Sequence, residues 1–503
     1  MSLLGVDVGT SGCKSVVFSE TGTILASAYQ EYDFQAAQPG WAELDSNEVW
    51  ENIQQTIHAA ASQTTSDPIK AVCASSCGEA VVPVSEDRQI LGASLLNFDV
   101  RGLDYVNELR HKFDAETFYQ VNGNTIGNNY TLPKLLWIRD HQPELYARTY
   151  KFLHWGSFVP FMLGSEPSID FSLANRSLLF DLERETWSET IAQQTDIDLT
   201  KLPVTVPSGT VIGAVDSKIA RQLGLPPNIP IVAGAHDQCS NAVGCGVIKE
   251  GFAMYGMGTF ICIVPVFHQR KDPQLMLERG LNTEHHAAPG AYVSFIYNDG
   301  GSLVKWFRDT FARLDKQRAQ QEGYEVYDHL FAEMPERQSK VMVLPHFSVT
   351  GPPQFLTDSC GLMAGLKLET SRGEILKGII EGATFYIKEC VNALPATGTE
   401  IQDFRAVGGG SKSDTWIQIS ADILGRPFIR PKITEAGALG AAIMAGAGCG
   451  IFASVQEGVA AMVQLDKAFE PDMKKHEAYQ RRFEIYQKTW PLLREYLQEL
   501  AAE

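Results

Sequence analysis

The sequence predicts an α/β protein built from two related lobes, and three observations carry that prediction. Runs with strand character alternate with helical runs, the pattern of an α/β fold. A glycine-rich strand-turn-strand opens the chain, and the same device returns halfway along it, at Gly251 to Val264. The chain has 503 residues, room for two to four domains at roughly 100–200 residues each.

Taken in order, Leu3 to Val8 reads as a strand, Gly9-Thr10-Ser11-Gly12 as a turn and Lys14 to Phe18 as the returning strand. A helix follows from Asp45 to about Ser62, with Asp45 or Ser46 as its N-cap and apolar residues at Val49, Trp50, Ile53, Ile57 and Ala60. Strand character returns at Ala71–Ser76 and Val81–Val84. Residues 100–200 are mainly helical and loop-rich around an amphipathic Lys134–His141 segment. A second strand-turn-strand is expected to open at Ile231–Gly234, and the third is the one at Gly251–Val264. The hinge between the lobes is expected near residues 244–252, giving a first lobe over 1–245 and a second over 246–503. From about Lys474 an amphipathic helix presents Tyr479, Phe483, Tyr486, Trp490, Leu493, Leu497 and Leu500 at spacings of three and four, interrupted or kinked at Pro491.

Composition removes several function classes. A net charge of −18 without a basic stripe argues against nucleic acid and anionic membranes as partners. Nine cysteines, none in a CxxC spacing, suit reduced thiols in the cytoplasm better than a disulfide framework or a zinc site. The start lacks a basic n-region and places Asp7 in its apolar segment, so no signal peptide is expected. Ala436 to Val455 carries no charge over about 20 residues, a spanning length, but its Gly and Ala content fits a tightly packed helix better. The adjacent His285-His286 reads as an exposed loop pair.

Common nucleotide motifs fail. Gly9 to Ser15 lacks the four-residue interval of a Walker loop, and Gly408-Gly409-Gly410-Ser411-Lys412-Ser413 matches neither that template nor GxGxxG. What remains is a set of glycine-rich turns beside strands. Such turns expose backbone N–H groups that can cradle phosphate, and a neighbouring carboxylate can hold a magnesium ion on its oxygens. Asp7, before Gly9-Thr10-Ser11, suits that task or the capping of a hairpin turn. Asp237, at the end of the Ile231–Ala235 run, suits a general base or the N-cap of a following helix. Trp41 suits the wall of a cleft or the core.

Together these segments resemble the FGGY carbohydrate kinases. The likeness rests on Gly5 to Ser11, Pro39-Gly-Trp-Ala-Glu43 with Trp50, Lys134 to His141, Gly234-Ala-His-Asp-Gln238, Gly361 to Leu366 leading to Glu374–Gly382, and Ala406 to Ser413 with Trp416 and Asp422. The resemblance implies two actin-like (ribonuclease H-like) ATPase lobes, each a mixed five-stranded sheet with helices, closing on a central cleft. It implies ATP and Mg²⁺ as cofactors and a small sugar or polyol as substrate. Asp7 would lie at the metal, with Thr10, Ser11 and Lys14 in the first phosphate hairpin. Gly256, Gly258 and Thr259 would form the second, and Gly409 and Gly410, with Ser413 nearby, would admit the adenosine. Asp237 would take the proton from the sugar hydroxyl.

For the sugar, Cys77, Gly78 and Glu79 stand where xylulose kinases typically carry Gln-Met-His and glycerol kinases Gln-Arg-Glu, so only Glu79 matches, and it matches the latter. Asn97-Phe-Asp99-Val-Arg101 resembles the Trp-Asn-Asp-Gly-Arg segment of pentulose kinases. Asp99 would accept hydrogen bonds from two sugar hydroxyls or form a surface salt bridge with Arg101. Met257 replaces the usual hydroxyl residue of the second hairpin, a role open to Thr259. The expected activity is phosphorylation of a terminal hydroxyl of a pentulose such as D-xylulose. Glycerol or gluconate kinase activity and a non-catalytic actin/Hsp70-like nucleotide switch are the alternatives, and a homodimer is the one self-association left open.

Overall fold

The computed structural model describes residues 1–503. Two mixed sheets organise it, and each contains the same five-stranded core. In the first the order is Ile24–Glu31, Gly12–Ser19, Ser2–Val8, Ile69–Ser76 and Pro230–His236. In the second it is Ile296–Asp299, Phe260–Phe267, Gly251–Met257, Ile401–Val407 and Phe428–Pro431. Both begin as antiparallel meanders and both add their fourth and fifth strands in parallel. Val211–Ala214 widens the first sheet to six strands; Glu284–His285, Tyr292–Val293 and Leu465–Phe469 widen the second to eight. The expected five-stranded sheets are therefore the shared core of larger ones.

The repeat extends to the helices. Ser46–Ser62 connects the third and fourth strands of the first core, and Arg372–Ala393 does so in the second. In the former, the Asp45 carboxylate accepts from the backbone N–H groups of Asn47 and Glu48 at 2.9 and 3.3 Å, satisfying two of the donors a helix start leaves free. Its buried Val49, Ile53, Ile57 and Ala60 form the face that packs on Gly12–Ser19.

After its fifth strand each core turns into a further helix, Asp237–Gly244 in the first and Ala436–Gly448 in the second, and these two pack on one another. The Gly/Ala composition of Ala436–Gly448 is explained there. A Cβ on Gly440 would stand 1.9 Å from the Ser240 carbonyl oxygen, one on Gly244 1.9 Å from that of Ala436, and one on Gly5 2.0 Å from that of Ala438. Only hydrogen side chains allow backbones so close. No helix is long and apolar enough to cross a membrane.

Four sequence expectations are corrected. Ile231–Gly234 opens no hairpin: the strand Pro230–His236 runs directly into the helix beginning at Asp237. Lys134–His141 is not amphipathic, since its helix, Thr131–His141, is buried continuously from Thr131 to Leu136 and again at Ile138. The C-terminal helix, Met473–Ala501, is not interrupted at Pro491 but continues through it. His285 and His286 are buried, their Nε2 atoms 3.1 Å from Leu182 O and 2.8 Å from Val247 O. Burial holds both rings neutral, with pKa values of about 4.

Candidate functional site

The parallel strands of the first core end side by side, the place where open α/β sheets build ligand sites. Asp7 stands opposite Ser75, and His236, one residue before Asp237, opposite Ser76. With one strand between them at about 4.8 Å spacing, Asp7 and Asp237 head chains roughly 10 Å apart. Two carboxylates thus flank the mouth of the sheet.

The Ser75 hydroxyl donates to Asp7 Oδ1 at 2.7 Å. A Cβ on Gly437 would lie 2.7 Å from Asp7 Oδ2, so the start of the Ala436–Gly448 helix closes down on this carboxylate. Burial raises the Asp7 pKa, with the Ser75 hydrogen bond and the Lys14 charge opposing it. Lys14 itself is hydrogen-bonded to Glu435, so its ammonium ties the first hairpin to the second half of the chain. Gly9 N donates to Gly12 O at 2.9 Å to close the turn, leaving Ser11 exposed and Thr10 half-buried on it.

Asp237 Oδ1 is buried and accepts no hydrogen bond. His236 Nε2 stands 3.1 Å from it but is not aligned to donate. Burial, with the neighbouring charges of Asp7 and Glu79, pushes the Asp237 pKa up to about 7. A carboxylate so placed can accept a proton at neutral pH, because its basicity matches the medium. Asp237 is the first residue of its helix with His236 as N-cap; its side chain is left free of the capping role that the sequence allowed it.

Beside it lies a buried ion cluster. Arg176 Nε donates to Glu79 Oε1 at 2.9 Å, Nη2 bonds to the same oxygen, and Nη1 donates to Glu284 Oε1 at 2.6 Å. Tyr130 and Phe295 place ring faces 4.8 and 5.6 Å from the guanidinium. Gly78 makes room for this: a Cβ there would meet Arg176 Cγ at 2.9 Å and His236 Nε2 at 3.0 Å. Cys77 is buried next to it, its thiol held well above the ordinary range by burial and by the Asp237 charge. The sequence reading missed Arg176 and Glu284. One signal was present: a single arginine inside the apolar run Phe171–Phe180, since a charge in such a run is buried only when paired.

Asp99 and Arg101 form a buried pair, not a surface one. Asp99 is fully enclosed; Arg101 N donates to Oδ1 at 2.8 Å, Ala42 N and Arg101 Nη2 donate to Oδ2 at 2.6 and 2.7 Å, and Arg101 Nη2 also reaches Glu43 at 2.7 Å. Arg101 stacks 4.1 Å over Trp41 and 5.1 Å from Trp137. Trp41 therefore packs on this pair, at the edge of a separate cavity of about 370 Å³.

In the second core, Gly256–Met257 ends one strand and Phe260 begins the next. Met257 is buried, packed under the turn that carries Gly408 and Gly410. Gly258 and Thr259 are exposed at the hairpin tip. Gly410 is required internally, because a Cβ would meet the Trp416 ring at 2.9 Å. Gly409 is not: a Cβ there would touch nothing within 4 Å. The Ser413 hydroxyl accepts from Trp416 N at 3.2 Å and caps the helix Asp414–Leu424.

Residues 2–244 match the N-terminal domain, and residues 255–449 the C-terminal domain, of the FGGY family of carbohydrate kinases. A xylulose kinase of Staphylococcus epidermidis is 26% identical over 492 residues, covering 97% of this chain and 96% of that protein. A glycerol kinase of Methylibium petroleiphilum is 28% identical over 500 residues, covering 95% and 97%. The crystal structure of a xylulose kinase from Rhodospirillum rubrum superposes with a TM-score of 0.86 at 26% identity, covering 99% of this chain and all of that one.

The chain belongs to the FGGY family of carbohydrate kinases. It is an ATP-dependent sugar kinase with the actin-like two-lobed fold.

Proposed function

We propose that the chain transfers the γ-phosphoryl group of ATP to a terminal hydroxyl of a small open-chain sugar, a pentulose such as D-xylulose, in the cytoplasm. The full-length likeness to xylulose kinases supports the pentulose. A glycerol-type specificity is the second reading, favoured by Glu79 and by the likeness to a glycerol kinase. The assignment of residues 1–245 to a sugar-binding lobe and 246–503 to an ATP-binding lobe is supported by the two repeated sheet cores, with Ala436–Gly448 reaching across to pack on the first sheet.

The observation that carries the reading is Asp237: a half-buried carboxylate with one enclosed, unbonded oxygen, poised near neutrality, at the head of the helix that follows the strand next but one to that of Asp7. As the sugar hydroxyl attacks the γ-phosphorus, Asp237 takes its proton and the bond to the leaving ADP oxygen breaks. Phosphoryl transfer depends mostly on positioning and charge stabilisation, and a general base adds about 10²–10⁴-fold. The exposed turn residues Ser11, Gly258 and Thr259, with half-buried Thr10 and Gly256 beside them, suit phosphate, Thr259 supplying the hydroxyl that Met257 lacks. The empty space beside Gly409 suits the nucleoside, with Gly410 supporting the turn and Ser413 anchoring it. Asp7 fits a magnesium ion, because its Oδ2 accepts no hydrogen bond from the protein while Ser75 fixes Oδ1; magnesium characteristically takes one or two carboxylates and completes its shell with water and substrate phosphate. When bound, Mg²⁺ supplies charge neutralisation at the phosphate oxygens. Asp99 and Arg101 act on the sugar site by holding the Ala42 and Asn97–Arg101 backbone in place.

A coupled ADP-release assay across pentuloses, hexuloses, polyols and aldonates tests the proposal. ATP turnover should depend on one added sugar, a pentulose first; turnover indifferent to all of them would refute it.

A further inference from the structure

The charge distribution around Asp237 is shaped by a residue no motif pointed to. Arg176 is the guanidinium of this site, and its charge is committed: Nε and Nη2 go to Glu79 Oε1, and Nη1 goes to Glu284 Oε1. Two ammonium groups of the first half of the chain are committed as well. Lys14 is paired with Glu435, and Lys134 donates to the Asn97 and Asn128 carbonyls. Against them stand the carboxylates of Asp7, Asp237, Glu79 and Glu284. Glu79 presents its second oxygen, Oε2, without a protein partner, and Glu284 Oε2 is buried without one. Free acceptors and spent donors suit hydroxyl groups, which donate to carboxylates. They repel a carboxylate, which needs a free donor or cation.

We propose that Arg176 is a specificity-determining positioning residue, and that the site it builds takes uncharged ketoses or polyols and refuses sugar acids of the same length. The inference rests on the kinase reading above and narrows it. Glu79 Oε2 would be the acceptor for a substrate hydroxyl, held in place because Arg176 fixes Oε1. Glu284 belongs to the second sheet and Glu79 to the loop after Ile69–Ser76 of the first, so one guanidinium sets both walls.

The test uses the full chain with ATP and three probes, D-xylulose, glycerol and D-gluconate. One uncharged probe should exceed D-gluconate in kcat/KM by at least about 100-fold. Removing a negative charge and loosening the grip on Arg176 by Glu79→Gln should cut that preference at least about tenfold, with the change falling in KM. Arg176→Gln would strand two buried carboxylates and is expected to unfold the protein, so the test does not depend on it. Arg176→Lys keeps the charge but loses the fork; it should raise KM for the uncharged substrate at least about tenfold while kcat changes less than about threefold. A wild-type enzyme that prefers D-gluconate, or a Glu79→Gln variant with unchanged preference, overturns the inference and leaves the kinase intact. Turnover of none of the three, nor of any sugar in the wider panel, overturns the proposed function and the inference together.

Discussion

Replacing Gly440 by alanine should damage catalysis from a residue that touches no substrate. Gly440 lies in the helix Ala436–Gly448, against the helix whose first residue is Asp237. Its added Cβ would stand 1.9 Å from the Ser240 carbonyl oxygen, where real Cβ atoms essentially never come within 3.0 Å. The obstacle is backbone on both sides, so no side chain can rotate away, and the helices must part by about 1.1 Å at this point. Overpacking of this kind costs about 1–3 kcal/mol, and the better helix propensity of alanine returns up to about 1 kcal/mol. The net loss of stability is thus between nothing and about 3 kcal/mol. The catalytic loss is separate from it, since a displacement of about 1 Å in a reacting group can lower the rate about 10²-fold, and Ser240 is three residues from Asp237. Steady-state kinetics with thermal denaturation will separate the two effects. Wild-type kcat together with a wild-type melting temperature would refute the argument that backbone contact between these helices sets the position of Asp237.

Three further outcomes are expected. The proton acceptor must be ionised, so with a pKa of about 7 at Asp237 activity should fall about tenfold between pH 8 and pH 6; Asp237→Asn should lose about 10²–10⁴-fold in kcat and the acid limb with it, while ADP titration reports nearly unchanged nucleotide binding. Arg101→Ala leaves the enclosed Asp99 carboxylate without its cation and should cost about 3–5 kcal/mol, read as a large drop in melting temperature; a shift within error would contradict the burial of the pair. Ser75→Ala removes the 2.7 Å hydrogen bond that orients Asp7 and should raise the Mg²⁺ concentration for half-maximal activity about 10–100-fold, with kcat recovering at saturating Mg²⁺. An unchanged Mg²⁺ requirement would separate Asp7 from the metal.

Local patterns make part of this protein legible from its residues alone. Asp45 caps its helix because the bond spans two or three residues, and the hairpins at Gly9–Gly12 and Gly256–Thr259 follow from glycine between strand-forming runs. Failures came where the same local pattern serves two structures. Ile231–Gly234 has strand composition followed by small residues, which suits a turn, yet the chain enters a helix whose partner is almost 200 residues away. His285 and His286 are polar and adjacent, which suits a loop, but tertiary packing buries both and each Nε2 meets a backbone carbonyl.

The α/β class, the repeated glycine hairpins and the family could be read from the order of residues, because each motif is written in positions close together in the chain. Folding in three dimensions settled which groups meet: Glu79, Arg176 and Glu284, separated by 97 and 108 residues, and the two glycine-packed helices that hold Asp237 in place. The difference is one of range. Capping, turns and periodicity act over a few residues, whereas charge pairing and close backbone packing depend on distance in space, which only the folded chain sets.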